Sequence, residues 1–170
     1  MVDQPHPVAA RGAVIAGVVP GQSSRVVREA ARYAGLAGAE LIVVHVDTTR
    51  FVAFEDPDGY VPAGVDLAGT AAKAALDEVR REAEEALAGH TQTWSVRQEI
   101  GDPALALIRL ADELDASLLV VGTRKRGIGE SVREFLTGSV AARLSHRQRR
   151  PVLVVPQGDP VGAGDQLPWE

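Results

Sequence analysis

Glycine, serine and basic residues are concentrated in the stretch from Leu118 to Pro156. In it, an apolar run ends at Gly122-Thr123-Arg124, and Gly138-Ser139 precede an amphipathic segment and a second apolar run, Val152–Val155. This order of strand, glycine-containing loop, helix and strand is that of a βαβ unit. Glycines after a strand let a ligand approach the backbone, and the next helix offers unpaired N–H groups to an anion. The stretch therefore predicts a phosphate site, although it contains neither GxGxxG nor GxxxxGK[ST].

The composition is typical of one globular domain. The 170 residues are 45% hydrophobic and 24% charged, and the net charge of −5 argues against a general nucleic-acid surface, which is usually basic. Since cysteine is absent, disulfides and thiolate metal sites are excluded. The first residues, MVDQPHPVAARG, lack a signal-peptide core, and no apolar run approaches the roughly 18 residues of a membrane span. We therefore expect a cytoplasmic protein that binds neither nucleic acid nor membrane.

Strand-like and helical patterns alternate along the chain. Apolar runs predict strands at 13–18, 40–47, 93–98, 117–122 and 152–155. Helical spacing predicts helices after Ser23-Ser24, at about 71–88, after Asp102-Pro103 and within 131–146. Right-handed crossovers between such elements give a doubly wound α/β sheet, which binds ligands at the carboxyl ends of its strands near a switch point. Val18-Val19 and Gly122-Thr123 end the first and fourth strands, and we expect them to line one crevice.

Several local features carry narrower expectations. We expect Ser23-Ser24 to cap the first helix and Asp102 to cap the third, with Pro103 in its first position. A break at Thr137-Gly138 is expected inside the 131–146 helix, because glycine costs helix stability. The connection Phe51–Gly69 is interpreted as a solvated insertion, and residues 1–10 and 157–170 as flexible ends of a domain spanning 11–156. The buried face of the third helix is predicted to be Ala104, Leu107, Ile108, Ala111 and Leu114.

Patterns of a catalytic or metal site are absent. HExxH, GxSxG and EF-hand motifs do not occur, so we expect neither an enzyme nor a metal site, and turn formation accounts for Asp56 and Asp58. His45 lies within a predicted strand, where a structural role is expected, and Trp94 is expected to pack. The basic residues near the last helix are expected to form a solvated helix end that complements the helix dipole. They are Arg143, Arg147, Arg149 and Arg150.

The chain resembles the universal stress protein family from about residue 11 to 155. The motifs that carry the resemblance are GDPALALI from Gly101, VVGTR from Val120, GSV from Gly138 and PVLVV from Pro151. The resemblance implies a small cytoplasmic stress-response regulator with a Rossmann-like, open five-stranded parallel sheet of order 3-2-1-4-5 and helices on both faces. It also implies a homodimer through the last strand, Val152–Val155. A bare apolar edge strand is a liability unless it is paired or covered.

Some family members bind ATP or another adenine nucleotide, through Gly, two residues, Gly, nine residues, then Gly-Ser or Gly-Thr. Gly122 matches the first glycine and Gly138-Ser139 the last pair, but Lys125 stands at the second glycine. Binding members also have an aspartate that contacts adenosine where this chain has Val19, and valine accepts no hydrogen bond. The candidate nucleotide contacts are Val18, Val19, Val46, Val121, Gly122, Thr123, Arg124, Gly127, Gly129, Gly138, Ser139 and Val140, with Lys125 and Arg126 as further positive charges.

Two alternatives to a nucleotide-binding regulator remain open at this stage. The first is a dimeric module that binds no nucleotide and interacts with an unidentified protein partner through the 51–69 connection or the C-terminal tail. In that case Gly138-Ser139 serve only to start a helix, and the basic triplet after Thr123 is solvated. The second alternative is a nucleotide hydrolase of the wider ATP-binding α/β class, against which the valine at position 19 counts.

Overall fold

The computed structural model describes residues 12–48, 67–123 and 139–157. The elements within these ranges, in chain order, are β1 (Val14–Val18), α1 (Ser23–Ala37), β2 (Leu41–Asp47), α2 (Leu67–Ala86), β3 (Trp94–Ile100), α3 (Pro103–Glu113), β4 (Leu118–Gly122), α4 (Val140–Arg147) and β5 (Val152–Val155). All strands pair in parallel in the order β3-β2-β1-β4-β5, which confirms the predicted sheet. The predictions for both chain ends, for residues 51–66 and for residues 124–138 lie outside the described residues.

Two apolar layers cover the sheet, because successive side chains of a strand point to opposite faces. Val14, Ala16 and Val18 of β1 face the layer formed with α1 and α2, whereas Ile15 faces the layer formed with α3 and α4. All seven residues of β2 are buried. This burial explains the nearly continuous apolar run, which is typical of a parallel strand covered on both faces.

Small residues let the helices approach the sheet closely. Ala30, Ala31 and Ala34 of α1 are buried against the first layer. On the opposite face, Gly17 of β1 leaves room for the side chain of Leu107 of α3. A Cβ placed on Gly17 would lie 2.8 Å from Leu107 Cδ1, which is closer than two carbon atoms pack.

Several predicted boundaries differ from the observed ones. α2 begins at Leu67, so the last three residues of the predicted connection Phe51–Gly69 belong to a helix. β3 extends to Ile100, because each of its residues pairs with β2 over the register Leu41↔Trp94 to Asp47↔Ile100. Main-chain pairing with β2 therefore sets the length of β3. The prediction from its weak apolar alternation ended too early, at residue 98.

Helix starts were predicted with mixed success. Asp102 caps α3 as expected, since its side chain accepts a hydrogen bond from the Leu105 amide at 3.0 Å. The predicted Ser23-Ser24 cap is wrong: α1 begins at Ser23 itself, and its N-cap, Gln22, makes no side-chain capping hydrogen bond. The predicted break at Thr137-Gly138 lies outside the described residues. α4 begins at Val140, where the Ser139 hydroxyl accepts a hydrogen bond from the Ala142 amide.

The buried face of α3 agrees in part with the predicted one. Ala104, Leu107 and Ala111 are buried as predicted, whereas Ile108 and Leu114 pack against the same layer and are only partly buried. Ala106 and Leu110 are buried and were not predicted. The reason is that α3 packs against both the sheet and α4, which moves its apolar contacts toward residue 110. Trp94 packs against the first apolar layer, as predicted.

We predict that Gly17→Ala destabilises the fold by about 1–3 kcal/mol, because the added methyl group overpacks the β1–α3 contact. Gly35→Ala is the matched control: this helical glycine has open space around its Cβ position, and alanine there should stabilise by up to ~1 kcal/mol. Urea unfolding of both variants measures the two effects. Equal midpoints for Gly17→Ala and the wild type would contradict the packing described here.

Candidate functional site

The carboxyl ends of three strands lie side by side at one edge of the sheet. Gly17 of β1 pairs with Val121 of β4, and Val18 of β1 pairs with His45 of β2. The next residues on β4 and β2, Gly122 and Val46, therefore border the end of β1. We call this edge the β1/β4 edge. It is also the switch point, because the chain continues outward from β1 to β2 on one side and later reaches β4 on the other.

The predicted contact residues at the β1/β4 edge do not share one face. Val18 is in the layer with α1, and Gly122 faces the same way, since a Cβ there would lie 3.1 Å from Val26 Cγ2 of α1. Val46 and Val121 are in the opposite layer and are 9% and 3% exposed. A ligand at this edge would therefore contact mainly the backbone at these positions.

Val19 differs from these neighbours because 48% of its surface is exposed. It begins the turn from β1 to α1, in which the Gln22 amide donates a hydrogen bond to the Val19 carbonyl at 3.2 Å. Gly21 has φ +78°, a left-handed conformation that favours glycine. The turn thus presents an apolar side chain at the end of β1.

Side chains from two other elements contact this turn. His45 Nδ1 of β2 lies 3.4 Å from the Val18 carbonyl oxygen, and Glu82 Oε1 of α2 accepts a hydrogen bond from the Gly21 amide at 2.8 Å. His45 is buried, which agrees with the structural role expected for it. Sequence reasoning missed Glu82. In the sequence, Glu82 is marked only by its position near Val79 and Ala83, which belong to the apolar stripe of α2. No local pattern links Glu82 to Gly21, which lies 61 positions earlier.

Thr123 connects the end of β4 to the end of β5. Its amide donates to the Val155 carbonyl at 3.0 Å, and its hydroxyl accepts a hydrogen bond from the Gln157 amide at 2.9 Å. A hydroxyl that accepts one hydrogen bond still has its own proton to donate. Thr123 can therefore act as a donor to an anion at the β1/β4 edge.

Ser139 and Val140 form the start of α4, which follows β4 in the chain. Ser139 is the N-cap, and Val140 is the first helical residue and partly buried. The partial positive charge of a helix N-terminus favours an anion there. The remaining predicted contacts, Arg124, Lys125, Arg126, Gly127, Gly129 and Gly138, lie outside the described residues.

An ion pair fixes α4 against α3. Arg143 Nη1 and Nη2 lie 2.6 and 2.8 Å from the two carboxylate oxygens of Asp102, in the bidentate geometry that gives strong charge-assisted hydrogen bonds. Arg150 donates to the Ala116 carbonyl at 2.7 Å and to Asp112 at 2.6 Å. The prediction of a solvated basic helix end is therefore wrong for these two arginines, because each meets a carboxylate on α3. Arg147 and Arg149 are exposed.

Asp102 is held in its charged form by these contacts. The hydrogen bonds from Arg143 keep the pKa of the Asp102 carboxyl below its usual range, and the hydrogen bond from the Leu105 amide acts in the same direction. Asp102 thus joins the start of α3 to α4.

The described part of the chain shows neither a metal cluster nor a membrane-spanning helix. No group of three or more His, Asp or Glu side chains there is arranged to hold a metal ion. None of the helices in the described ranges combines the length and apolar character needed to cross a membrane.

Comparison with known proteins then identifies the family. The model of the universal stress protein family matches residues 14–156. The chain belongs to this family. No curated protein sequence matches it.

Solved structures of universal stress proteins have the same fold. One, in complex with cAMP, is 29% identical, with 88% of this chain and 100% of that chain covered and a TM-score of 0.61. A family member from Burkholderia pseudomallei is 28% identical, with 89% and 99% covered and a TM-score of 0.58. The universal stress protein from Archaeoglobus fulgidus in complex with dAMP is 23% identical, with 84% and 95% covered and a TM-score of 0.54, a likeness in fold.

We predict that Asp102 stabilises this universal stress protein in two separable ways. Asp102→Asn keeps a capping oxygen but removes the charge, and should cost about 1 kcal/mol. Asp102→Ala removes both and leaves Arg143 without its partner, and should cost about 2–3 kcal/mol. In thermal unfolding at neutral pH, the melting temperature should be highest for the wild type, lower for Asp102→Asn and lowest for Asp102→Ala.

The pH dependence gives the control for this prediction. Because the folded pKa of Asp102 is lowered, its carboxylate contributes fully above about pH 4, and the contribution is lost as the pH falls through the folded pKa. The gap in unfolding free energy between the wild type and Asp102→Asn should therefore narrow as the pH falls below about 4. A gap that is constant with pH would show that the ion pair does not stabilise the fold.

Proposed function

We propose that this universal stress protein binds an adenine nucleotide at the β1/β4 edge and acts as a cytoplasmic stress-response sensor without catalytic activity. The observation that carries the proposal is the strand register: Gly17 pairs with Val121, so the segments that follow them, Val18-Val19 and Gly122-Thr123, begin at the same edge of the sheet. The α4 N-terminus, capped by Ser139, follows β4 in the chain. These elements supply backbone groups, a hydroxyl and a helix dipole to a phosphate.

We propose further that cAMP is bound in preference to ATP. The exposed Val19 offers apolar surface to a base or ribose but no acceptor for a hydroxyl. In cAMP the 3′-oxygen is esterified, so its ribose has one free hydroxyl, whereas the ribose of ATP has two. Binding of cAMP beside Val19 therefore leaves fewer ribose hydroxyls without a hydrogen-bond acceptor. Its single negative charge also needs fewer cationic groups. The 29% identical relative solved with cAMP supports the same choice.

Thermal unfolding of nucleotide-stripped protein tests this proposal. Ligand at ~100 times its dissociation constant stabilises by about 2.7 kcal/mol, a rise of roughly 5–10 °C for a domain of this size. We expect cAMP to give such a rise and ATP a smaller one in the wild type. Val19→Asp restores a hydrogen-bond acceptor and should increase the rise with ATP.

Val19→Ala is the matched control, since it changes the side chain without adding an acceptor and should give no gain with ATP. The guanine nucleotide cGMP controls for recognition of the base. If neither adenine nucleotide stabilises the wild type or Val19→Asp at millimolar concentration, binding at this edge is refuted, and the alternative of a protein-interaction module gains support.

We also propose that the protein is a homodimer through antiparallel pairing of β5 with a second copy. β5 is an edge strand, and the side chain of Val154 in its interior is 39% exposed. Exposed apolar edge strands invite pairing, and a partner strand would cover both the free main-chain groups and this valine. A homodimer is also expected if the protein is an interaction module that binds no nucleotide.

Val154→Lys should convert the dimer to a monomer, because a buried lysine opposes the pairing. Light scattering after size exclusion measures the mass, which is 18.0 kDa for one chain. Ile100→Lys is the matched control: Ile100 is an exposed apolar residue, 49% exposed, on the opposite edge strand, and its variant should remain dimeric. A monomeric wild type, or loss of the dimer in Ile100→Lys, would contradict pairing through β5.

A further inference from the structure

The turn that precedes α1 is bound by a side chain of another helix. The N-cap of α1, Gln22, makes no side-chain capping hydrogen bond, and the first turn contains no acidic residue. The first amides of a helix need acceptors from outside the helix, and their partial charge favours an anion. Glu82 of α2 places a carboxylate just before this N-terminus, where it accepts a hydrogen bond from the amide of Gly21, the residue that precedes the cap.

Glu82 makes this contact at a cost. Its second carboxylate oxygen, Oε2, is buried and has no hydrogen-bond partner among the described residues. The neighbouring Arg81 is engaged by other carboxylates, with Nη1 lying 2.7 Å from Glu85 Oε1 and Nη2 bonded to Glu78. A buried, unpaired polar oxygen is destabilising, so fold stability alone does not explain a carboxylate at this position.

The contact determines where the β1–α1 turn lies. Glu82 holds Gly21 from α2, and His45 lies against the Val18 carbonyl from β2, so the turn is held at both its ends. Between them is Val19, whose exposed side chain borders the proposed nucleotide site. A displacement of Gly21 would move Val19 as well, because the hydrogen bond from Gln22 to Val19 closes the turn.

We propose that Glu82 is a positioning residue for the nucleotide site. Through the Gly21 amide it fixes the β1–α1 turn, and so the place of Val19 at the β1/β4 edge, and it links the packing of α2 to ligand affinity. An open pocket of about 410 Å³ between α1 and α2, lined in part by Gly21, Ser24 and Glu82, lies beside this contact. The inference rests on the proposed function, since it concerns affinity at the same site.

Two substitutions of Glu82 and one control test the link. Glu82→Ala removes the acceptor, Glu82→Gln keeps an acceptor oxygen without the charge, and Glu84→Ala alters an exposed glutamate of the same helix. Calorimetric titration with cAMP should show about tenfold weaker binding for Glu82→Ala and affinity within about threefold of wild type for Glu82→Gln. Glu84→Ala should bind as the wild type does.

Recovery of cAMP affinity in Glu82→Gln indicates that the acceptor oxygen positions the turn. A general effect on stability would instead lower the melting temperature and leave the affinity of the folded protein unchanged. The proposal is overturned if Glu82→Ala binds cAMP as tightly as wild type, or if Glu82→Gln binds as weakly as Glu82→Ala. Should alanine prevent folding, the glutamine variant still tests the role of the acceptor.

Amide hydrogen exchange of the ligand-free protein tests the link without any nucleotide. Glu82→Ala should accelerate exchange at Gly21 by about tenfold or more and perturb the amides of Val19 and Gln22, whereas Glu82→Gln should not. Unchanged exchange at Gly21 refutes the positioning role whatever binds. If exchange at Gly21 is faster in Glu82→Ala but the wild type binds no adenine nucleotide, the proposed function is wrong, whereas Glu82 does fix the position of the turn.

Discussion

The parallel pairing of β1 with both β2 and β4 determines where this protein presents groups to a ligand. Because β1 is central, its carboxyl end is flanked by two other carboxyl ends, and the chain leads from β1 to β2 on one side and from β4 to β5 on the other. This divergence opens the edge of the sheet at Val18 and Gly122. The helices and both apolar layers serve to keep β1 in this position, and β1 is buried on both faces.

Burial of β1 also limits the chemistry of the edge. The side chains of Val18, Val46 and Val121 fill the two apolar layers and are withdrawn from solvent. Among the described residues, what remains at the edge is backbone, the hydroxyl of Thr123, the start of α4 and the exposed Val19. Under the proposed function, the backbone groups, the hydroxyl and the helix N-terminus contact a phosphate, and Val19 contacts the base or ribose.

Much of this fold could be predicted from the sequence, because strands buried on both faces and helices with one apolar stripe leave clear patterns. The Asp102-Pro103 helix start and the position of β4 are local signals, and both were located correctly. The missed features depend on contacts between distant residues. The contact of Glu82 with the Gly21 amide, the Arg143–Asp102 ion pair and the full length of β3 arise from pairing across the fold, for which the sequence has no local signal.

The central claim is that an adenine nucleotide binds where β1 and β4 end, and mapping of amide NMR shifts during a titration with cAMP tests it most directly. The account predicts saturable shifts concentrated at Val19, Gly122, Thr123 and Val140. The amino ends of the strands, near Ala13 and Ser117 at the opposite edge of the sheet, should remain unchanged. Shifts confined to that opposite edge, or no saturable shifts at millimolar cAMP, would contradict the account.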